Sequence, residues 1–165
     1  DIARRYITVS PVGLTSGIDR LARLSGAPLN LAVSLNAPTD DIRSQLMPVN
    51  RSSPMAALQS SLLGYPLAKK SALFMEYVLI QGINDRQEHA KALARFLAPM
   101  TVKLNLIPYN PAPGCEWQPP SADAYERFRA WLVAENVFVR RRGEKGGRIM
   151  AACGQLGGKN TSLDG

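Results

Sequence analysis

The chain has 165 residues, of which 45% are hydrophobic and 20% charged, a composition typical of one compact globular domain and not of a disordered chain. Its formal net charge of +7 and its isoelectric point near 9.8 favour an acidic partner, with nucleic acid ahead of a membrane surface. The sequence contains no run of about 18 apolar residues and no signal-peptide pattern, so we expect a cytoplasmic protein that does not span a membrane.

The first third of the chain alternates between strand and helix patterns. Arg5 to Ser10 alternates as a strand requires, and Leu29 to Asn36 predicts a second strand. Apolar residues at helical spacing between them predict an amphipathic helix that ends near Gly26. Asp40 and Asp41 indicate the first turn of the next helix, because carboxylates there oppose the helix dipole favourably. Ser53 is the predicted N-cap of the helix that follows.

The rest of the chain continues the alternation. Ala72 to Ile80 is almost continuously apolar, which is typical of a strand covered on both faces in a parallel sheet. Asn84 and Gln87 form a predicted capping pair for the next helix. Further strands are predicted at Val102 to Ile107 and Val137 to Arg141, separated by a proline-rich loop and a helix that starts after Ser121.

Alternating strands and helices predict an α/β fold with parallel strands joined by right-handed crossovers. Five strands fall short of the eight of a complete βα barrel, which predicts a partial barrel. We expect residues 1–165 to form one unit that ends in a basic, glycine-rich tail from about residue 140. The start at Asp1, without an initiator methionine, suggests a piece of a longer protein.

Polar residues at the carboxyl ends of the predicted strands are the first candidates for ligand binding, because ligands of parallel α/β sheets bind there. They are Ser10, the step Ser34, Leu35 and Asn36, and Asn110 in the turn after the fourth strand. Small polar groups at three such ends suit the ribose, amine and carboxylate of a nucleoside-like ligand.

Thr8, Ala32, Glu76 and Asn105 are expected to share the inward face of the sheet. A carboxylate among apolar residues needs a partner, because an unpaired buried charge is costly. Glu76 either pairs with Lys103 as a structural element or takes part in a pocket, and the sequence leaves both open. His89 is expected to be solvated on a helix surface. Because it is the only histidine in the sequence, a histidine-based metal cluster is excluded.

The basic tail surrounds one of the two cysteines, Cys153, with glycines on both sides. Nearby cations lower the pKa of a thiol and raise its thiolate fraction, so Cys153 is a candidate nucleophile. The alternative is a small packed thiol, since free cysteine is among the most buried residue types. The other cysteine, Cys115, lies in the proline-rich loop and is expected to have no role. The candidate RNA-binding residues are Arg140, Arg141, Arg142, Lys145 and Arg148.

Several blocks of the chain resemble the radical-SAM 23S rRNA adenine-C2 methyltransferases, in the order found in that family. They include A-V-S-L-N-A-P-T-D-D-I-R at Ala32 to Arg43, E-Y-V-L-I-Q-G-I-N-D at Glu76 to Asp85, K-L-N-L-I-P-Y-N-P at Lys103 to Pro111, and A-A-C-G-Q-L at Ala151 to Leu156. I-T-V-S before Pro11 and M-P-V-N before Arg51 also fit. The blocks span nearly the whole chain and are specific as a set.

The resemblance implies that the chain is the C-terminal half of a radical-SAM partial barrel, acting on 23S rRNA or tRNA. It implies that Cys153 carries the methyl group: one S-adenosyl-L-methionine methylates the thiolate, and a radical from a second molecule activates that methyl group for addition to adenine. It also implies that Ser10, Ser34, Leu35, Asn36 and Asn110 contact S-adenosyl-L-methionine. These are the strand ends already selected from the sheet pattern.

The chain departs from the family pattern in its cysteines. A [4Fe-4S] cluster of this family needs C-x-x-x-C-x-x-C, and with Cys115 and Cys153 alone we expect no metal site here. The cluster is expected from the missing N-terminal half only, so this chain by itself is expected to be inactive. Two other functions stay open: a non-catalytic RNA-binding half-barrel, and a related adenine-C8 methyltransferase. The sequence indicates no oligomeric state.

Overall fold

The computed structural model describes residues 8–24, 29–111 and 113–140. Within them, five parallel strands form one sheet in chain order: β1 (Thr8–Val9), β2 (Asn30–Ser34), β3 (Leu73–Leu79), β4 (Val102–Pro108) and β5 (Val139–Arg140). The α-helices are α1 (Thr15–Ala22), α2 (Asp40–Leu46), α3 (Met55–Leu63), α4 (Gln87–Leu97) and α5 (Ala122–Ala134), with a 3-10 helix at Pro48–Arg51. None of these helices has the length and apolar character needed to cross a bilayer.

One face of the sheet packs against helices and forms the main core. Side chains alternate between the faces of a strand, so alternate residues of β2, β3 and β4 point to the helices. The ring of Tyr77 stacks on Phe128 of α5, with 5.6 Å between the centroids. This core includes the fully buried residues Ile18, Leu31, Val33, Leu58, Leu73, Met75, Leu79, Leu93, Leu104, Leu106 and Leu132.

A second, smaller cluster covers part of the opposite face. Val78 and Ile107, which are paired in register, are buried there beside Leu46, Met47 and Tyr109. Toward the amino ends of the strands the same face is only half-buried or exposed. This second face is therefore covered near the carboxyl ends of the strands and open near their amino ends.

The predicted α/β fold with parallel strands is confirmed, with differences at the element ends. Helix α1 stops at Ala22, and Leu14 and Leu24 lie outside it with 40% and 52% of their surface exposed. Of the predicted first strand, Thr8 and Val9 are strand and Ser10 follows it, while residues 5–7 lie outside the described residues.

The prediction that Ser53 caps α3 is wrong. Ser53 is fully buried, and its hydroxyl oxygen accepts a hydrogen bond from the backbone N–H of Thr15 at 3.2 Å, which ties α1 to the start of α3. The first N–H of α3, that of Met55, donates instead to Oδ1 of Asp40 at 2.8 Å. The carboxylate at the first turn of α2 thus serves the start of α3 as well.

The predicted capping pair Asn84 and Gln87 is also wrong. The residue before α4 is Arg86, whose backbone N–H donates to Nδ1 of His89 at 3.2 Å. The His89 side chain is only 13% exposed, so the expected solvated histidine is wrong too. Burial lowers the pKa of His89, although Glu88 acts in the opposite direction.

Candidate functional site

Three of the predicted ligand-binding residues lie at the carboxyl edge of the sheet. Ser34 is the last residue of β2 and is half-buried. Ser10 follows β1 directly, Asn110 lies two residues after the end of β4, and both are exposed. Because the strands are parallel, these ends meet at the same edge, where a ligand can contact several loops at once.

Leu35 and Asn36 lie at the same edge but have buried side chains. Leu35 is fully buried in the main core, so only its backbone is placed for ligand contact. Asn36 is 3% exposed and has a left-handed φ of 57°. Its Oδ1 accepts from the backbone N–H of Val78 at 3.0 Å, and its Nδ2 lies 3.5 Å from the sulfur of Met47. The side chain therefore shapes the turn after β2.

Asn84 holds the ends of β2 and β3 together. Its Nδ2 donates to the backbone oxygens of Asn36 at 2.9 Å and Val78 at 2.8 Å, and its Oδ1 accepts from the N–H of Ile80 at 2.7 Å. Its own carbonyl accepts from the Tyr77 hydroxyl at 2.8 Å, and burial, with a smaller effect from Asp85, raises the pKa of that phenol. The local sequence predicts a helix cap at Asn84 because it does not reveal these long-range partners.

The loop between β1 and α1 has an unusual backbone above a buried cation. Val12 and Gly13 have φ of 52° and 77°, and positive φ is rare for a β-branched residue such as Val12. Arg43 of α2 is fully buried, and its Nη1 donates to Asn50 Oδ1 at 2.8 Å and to the carbonyl of Ser53 at 3.0 Å. Burial lowers the pKa of Arg43, while nearby Asp40 raises it.

Arg43 also fixes the space under this loop. An added Cβ at Gly13 would collide with Nη2 of Arg43, so the guanidinium and the loop backbone are in close contact. Sequence reasoning missed Arg43. The available signal was an arginine on the apolar side of a short helix, which local patterns do not distinguish from a solvated residue.

A row of polar residues crosses the open face of the sheet. Ser34 is in register with Glu76, Glu76 with Asn105, and Asn105 with Arg140. Thr8 and Ala32 share this face by the same alternation, as predicted. We call Ser34, Glu76, Asn105 and Arg140 the polar row.

Glu76 does not form the ion pair with Lys103 that was one of its two predicted roles. Lys103 is in register with Phe74, and its ammonium lies 5.9 Å from the centroid of that ring. The only hydrogen bond of the Glu76 carboxylate within the described residues comes from the hydroxyl of Ser34 at 3.5 Å. The pocket role of Glu76 is therefore the remaining alternative.

The predicted reactive and RNA-binding residues fall largely outside the described part of the chain. Arg140 is exposed at the end of β5, and Cys153, Arg141, Arg142, Lys145 and Arg148 lie outside the described residues. The thiol of Cys115, expected to have no role, accepts a hydrogen bond from the Tyr109 hydroxyl at 2.8 Å.

Two solved structures have a fold similar to that of this chain. A radical SAM methyltransferase from Sphaerobacter thermophilus matches 94% of this chain and 45% of its own, with 42% identity and a TM-score of 0.83. A domain of a pyruvate-formate lyase-activating enzyme from Bacteroides vulgatus matches 82% of the chain with a TM-score of 0.61 and 18% identity, which is a likeness of fold alone. The sheet is that of a radical SAM partial barrel.

The names of curated relatives specify the type of substrate as well as the reaction. The dual-specificity RNA methyltransferase RlmN of Geobacter sulfurreducens is 44% identical over 96% of this chain, and a probable RlmN of Rhodopirellula baltica is 48% identical over 94%. No protein-family model matches the chain. Over nearly its whole length, the chain is similar to radical SAM methyltransferases. It spans 44% and 42% of the lengths of these two relatives.

Similarity to radical SAM methyltransferases implies S-adenosyl-L-methionine and a [4Fe-4S] cluster in the complete protein. The residues of this chain do not fit a cluster, since it has two cysteines and its described residues contain no group of three or more potential metal ligands. They do fit a nucleoside cofactor, because hydroxyl and amide groups stand at neighbouring strand ends and the carboxylate of Glu76 lies beside Ser34.

Proposed function

We propose that this chain is the C-terminal part of a cytoplasmic radical S-adenosyl-L-methionine methyltransferase that methylates C2 of an adenosine in 23S rRNA. The observation that carries the proposal is the match, over 96% of the chain, to a relative named as an RNA methyltransferase. The dual specificity in that name is our reason for including tRNA as a second substrate.

The cofactor role is proposed for the carboxyl edge of the sheet. S-adenosyl-L-methionine, when bound, supplies the methyl group. The hydroxyls of Ser10 and Ser34 and the amide of Asn110 are suited to its ribose and amino-acid groups, because each is a small polar group at a strand end. Leu35 and Asn36 contribute their backbone, since both side chains are buried. Asn84 keeps this edge in one conformation through buried hydrogen bonds.

The methyl-carrying role is proposed for Cys153. Its thiolate would accept the methyl group that the bound cofactor supplies, and the sulfur would then hold that carbon for transfer to the base. The cations at Arg141, Arg142, Lys145 and Arg148 favour the thiolate and attract the RNA phosphates. Arg140, exposed on β5, extends this basic surface to the sheet.

The test is methylation by the complete protein with its cluster reconstituted. We expect 23S rRNA and tRNA fragments incubated with methyl-deuterated S-adenosyl-L-methionine to yield labelled 2-methyladenosine on digestion and mass spectrometry. Labelled 8-methyladenosine would instead identify the related adenine-C8 enzyme. Binding of the RNA without any labelled nucleoside would favour the non-catalytic module. Residues 1–165 alone are expected to give no product, because they lack the cluster ligands.

A further inference from the structure

The polar row is unusual for a parallel sheet. Strands of such sheets are normally covered on both faces and apolar on both. Here Glu76 and Asn105 lie opposite each other on β3 and β4, half-buried, on the face of the sheet that is only partly covered. Residues paired in this way have Cβ atoms about 5 Å apart, so both can contact one small group.

Within the described residues, the hydrogen-bonding capacity of this pair is largely unused. The Asn105 side chain forms no hydrogen bond with the described residues, and the Glu76 carboxylate has a single long one from Ser34, at 3.5 Å. Lys103, the cation of a neighbouring position on this face, lies over Phe74 instead. Because both side chains keep unused donors and acceptors on a partly open face, they are available to hydrogen-bond a ligand.

Apolar side chains border the pair on both sides along the strands. Phe74 lies toward the amino ends, and Val78 and Ile107 lie toward the carboxyl ends of the same face. A ligand that contacts Glu76 and Asn105 through a polar edge would therefore have apolar surfaces beside its faces. A flat heteroaromatic ring has this distribution of polarity.

We propose that Glu76 and Asn105 form a recognition site for the amino edge of an adenine. The carboxylate only accepts hydrogen bonds and takes one from the exocyclic amino group, while the asparagine amide bonds to the amino group and the adjacent ring nitrogen. A 6-oxo purine is disfavoured, because it presents an acceptor to the carboxylate. The inference rests on the proposed function, in which both the cofactor and the RNA target contain adenine.

Two binding experiments on the complete protein distinguish these two sources of adenine. One compares S-adenosylhomocysteine with S-inosylhomocysteine, and the other compares an RNA hairpin with adenosine or purine riboside at the target position. We expect loss of the amino group to weaken binding by about tenfold in one of the two comparisons. The ratio of the two dissociation constants, without and with the amino group, should be smaller in Glu76→Gln. It should be close to one in Glu76→Met and in Asn105→Leu.

Lys103→Gln is the matched control, because it changes a charge on the same face without touching the pair, and its ratio should equal that of the wild type. Circular dichroism verifies that each variant is folded. If Glu76→Met does not fold, Glu76→Gln, which is the smallest change, replaces it in the test. Wild-type ratios near one in both comparisons, or unchanged ratios in the folded variants, would overturn the inference. Binding is measured without turnover, so the two proposals fail separately. A protein that methylates RNA but binds ligands with and without the amino group equally would refute only this site. A protein that distinguishes those ligands but does not methylate RNA would refute only the proposed function.

Discussion

Asn84 donates a hydrogen bond from its side-chain amide to the backbone carbonyl of Asn36 at 2.9 Å, across 48 positions of sequence. The bond joins the loop after β3 to the left-handed turn after β2, where Asn36 has a φ of 57°. The side-chain oxygen Oδ1 of Asn36 in turn accepts a hydrogen bond from the backbone N–H of Val78 at 3.0 Å. The strand end proposed to hold the cofactor is therefore fixed by a residue from the neighbouring loop.

Asn84→Asp is expected to destabilise the protein by about 2–3 kcal/mol, because the carbonyls of Asn36 and Val78 lose their donor and face a carboxylate. It should also weaken binding of S-adenosylhomocysteine by the complete protein. Urea unfolding and calorimetry measure the two effects. Asn136→Asp makes the same chemical change at an exposed residue, and it should alter neither stability nor binding. Equal stabilities of the two variants would contradict this role of Asn84.

Gly13→Ala is expected to cost more than a positive φ alone explains, since its Cβ would collide with the buried guanidinium of Arg43. Gly114→Ala isolates the backbone effect: Gly114 has a φ of 80° and no neighbouring atom within 4 Å of an added Cβ. We expect about 1–2 kcal/mol for Gly114→Ala and clearly more for Gly13→Ala in thermal unfolding. Similar losses at the two sites would show that the loop moves away from Arg43 easily.

Asp40→Ala is expected to lower the free energy of unfolding by about 1–2 kcal/mol, because Oδ1 of Asp40 accepts from the N–H of Met55 and from Nδ2 of Asn50. Asp41→Ala is the neighbouring control. Asp41 is exposed in the same first turn and contributes through the helix dipole alone, about 0.5 kcal/mol. If chemical denaturation ranked Asp41→Ala as the more damaging change, Asp40 would not be the cap of α3.

Stability is expected to fall as the pH drops from about 7 to 5, through protonation of His89. Burial lowers the pKa of His89 in the folded protein below its ordinary value of 6.5, so the unfolded chain takes up this proton first. The neutral ring is also the form whose Nδ1 accepts from the N–H of Arg86. The contribution is present above pH 6.5 and is lost below it. His89→Gln should flatten the profile of unfolding midpoints over this range, and an identical profile in that variant would assign the pH dependence to other groups.

Cys153→Ala in the complete protein is expected to abolish methylation of RNA while leaving the fold intact, because the thiolate is the proposed acceptor of the methyl group. Labelled nucleosides and far-ultraviolet circular dichroism provide the two readings. Cys115→Ser is the control at the other thiol, which contacts Tyr109 and has no proposed part in the reaction. Retained methylation in Cys153→Ala would remove this residue from the mechanism.

The sequence alone predicted the alternation of strands and helices, and the parallel sheet confirms it. Period-two patterns such as Leu31 and Val33 were reliable, because burial on one face of a strand constrains every second residue. Capping predictions failed where a polar side chain had a distant partner. Ser53 forms a hydrogen bond with Thr15, and Asn84 forms one with Asn36. Neither partner can be predicted from the few residues on either side in the sequence.

The amino-acid sequence by itself determined the fold class, the strand ends that carry Ser10, Ser34 and Asn110, and the family, because these depend on local patterns and on blocks of identity. Only the tertiary structure decided that Glu76 lies between Ser34 and Asn105 and does not pair with Lys103. It also decided that Arg43 is buried beneath Gly13. Register and burial result from packing between segments far apart in the chain, so no local pattern contains them.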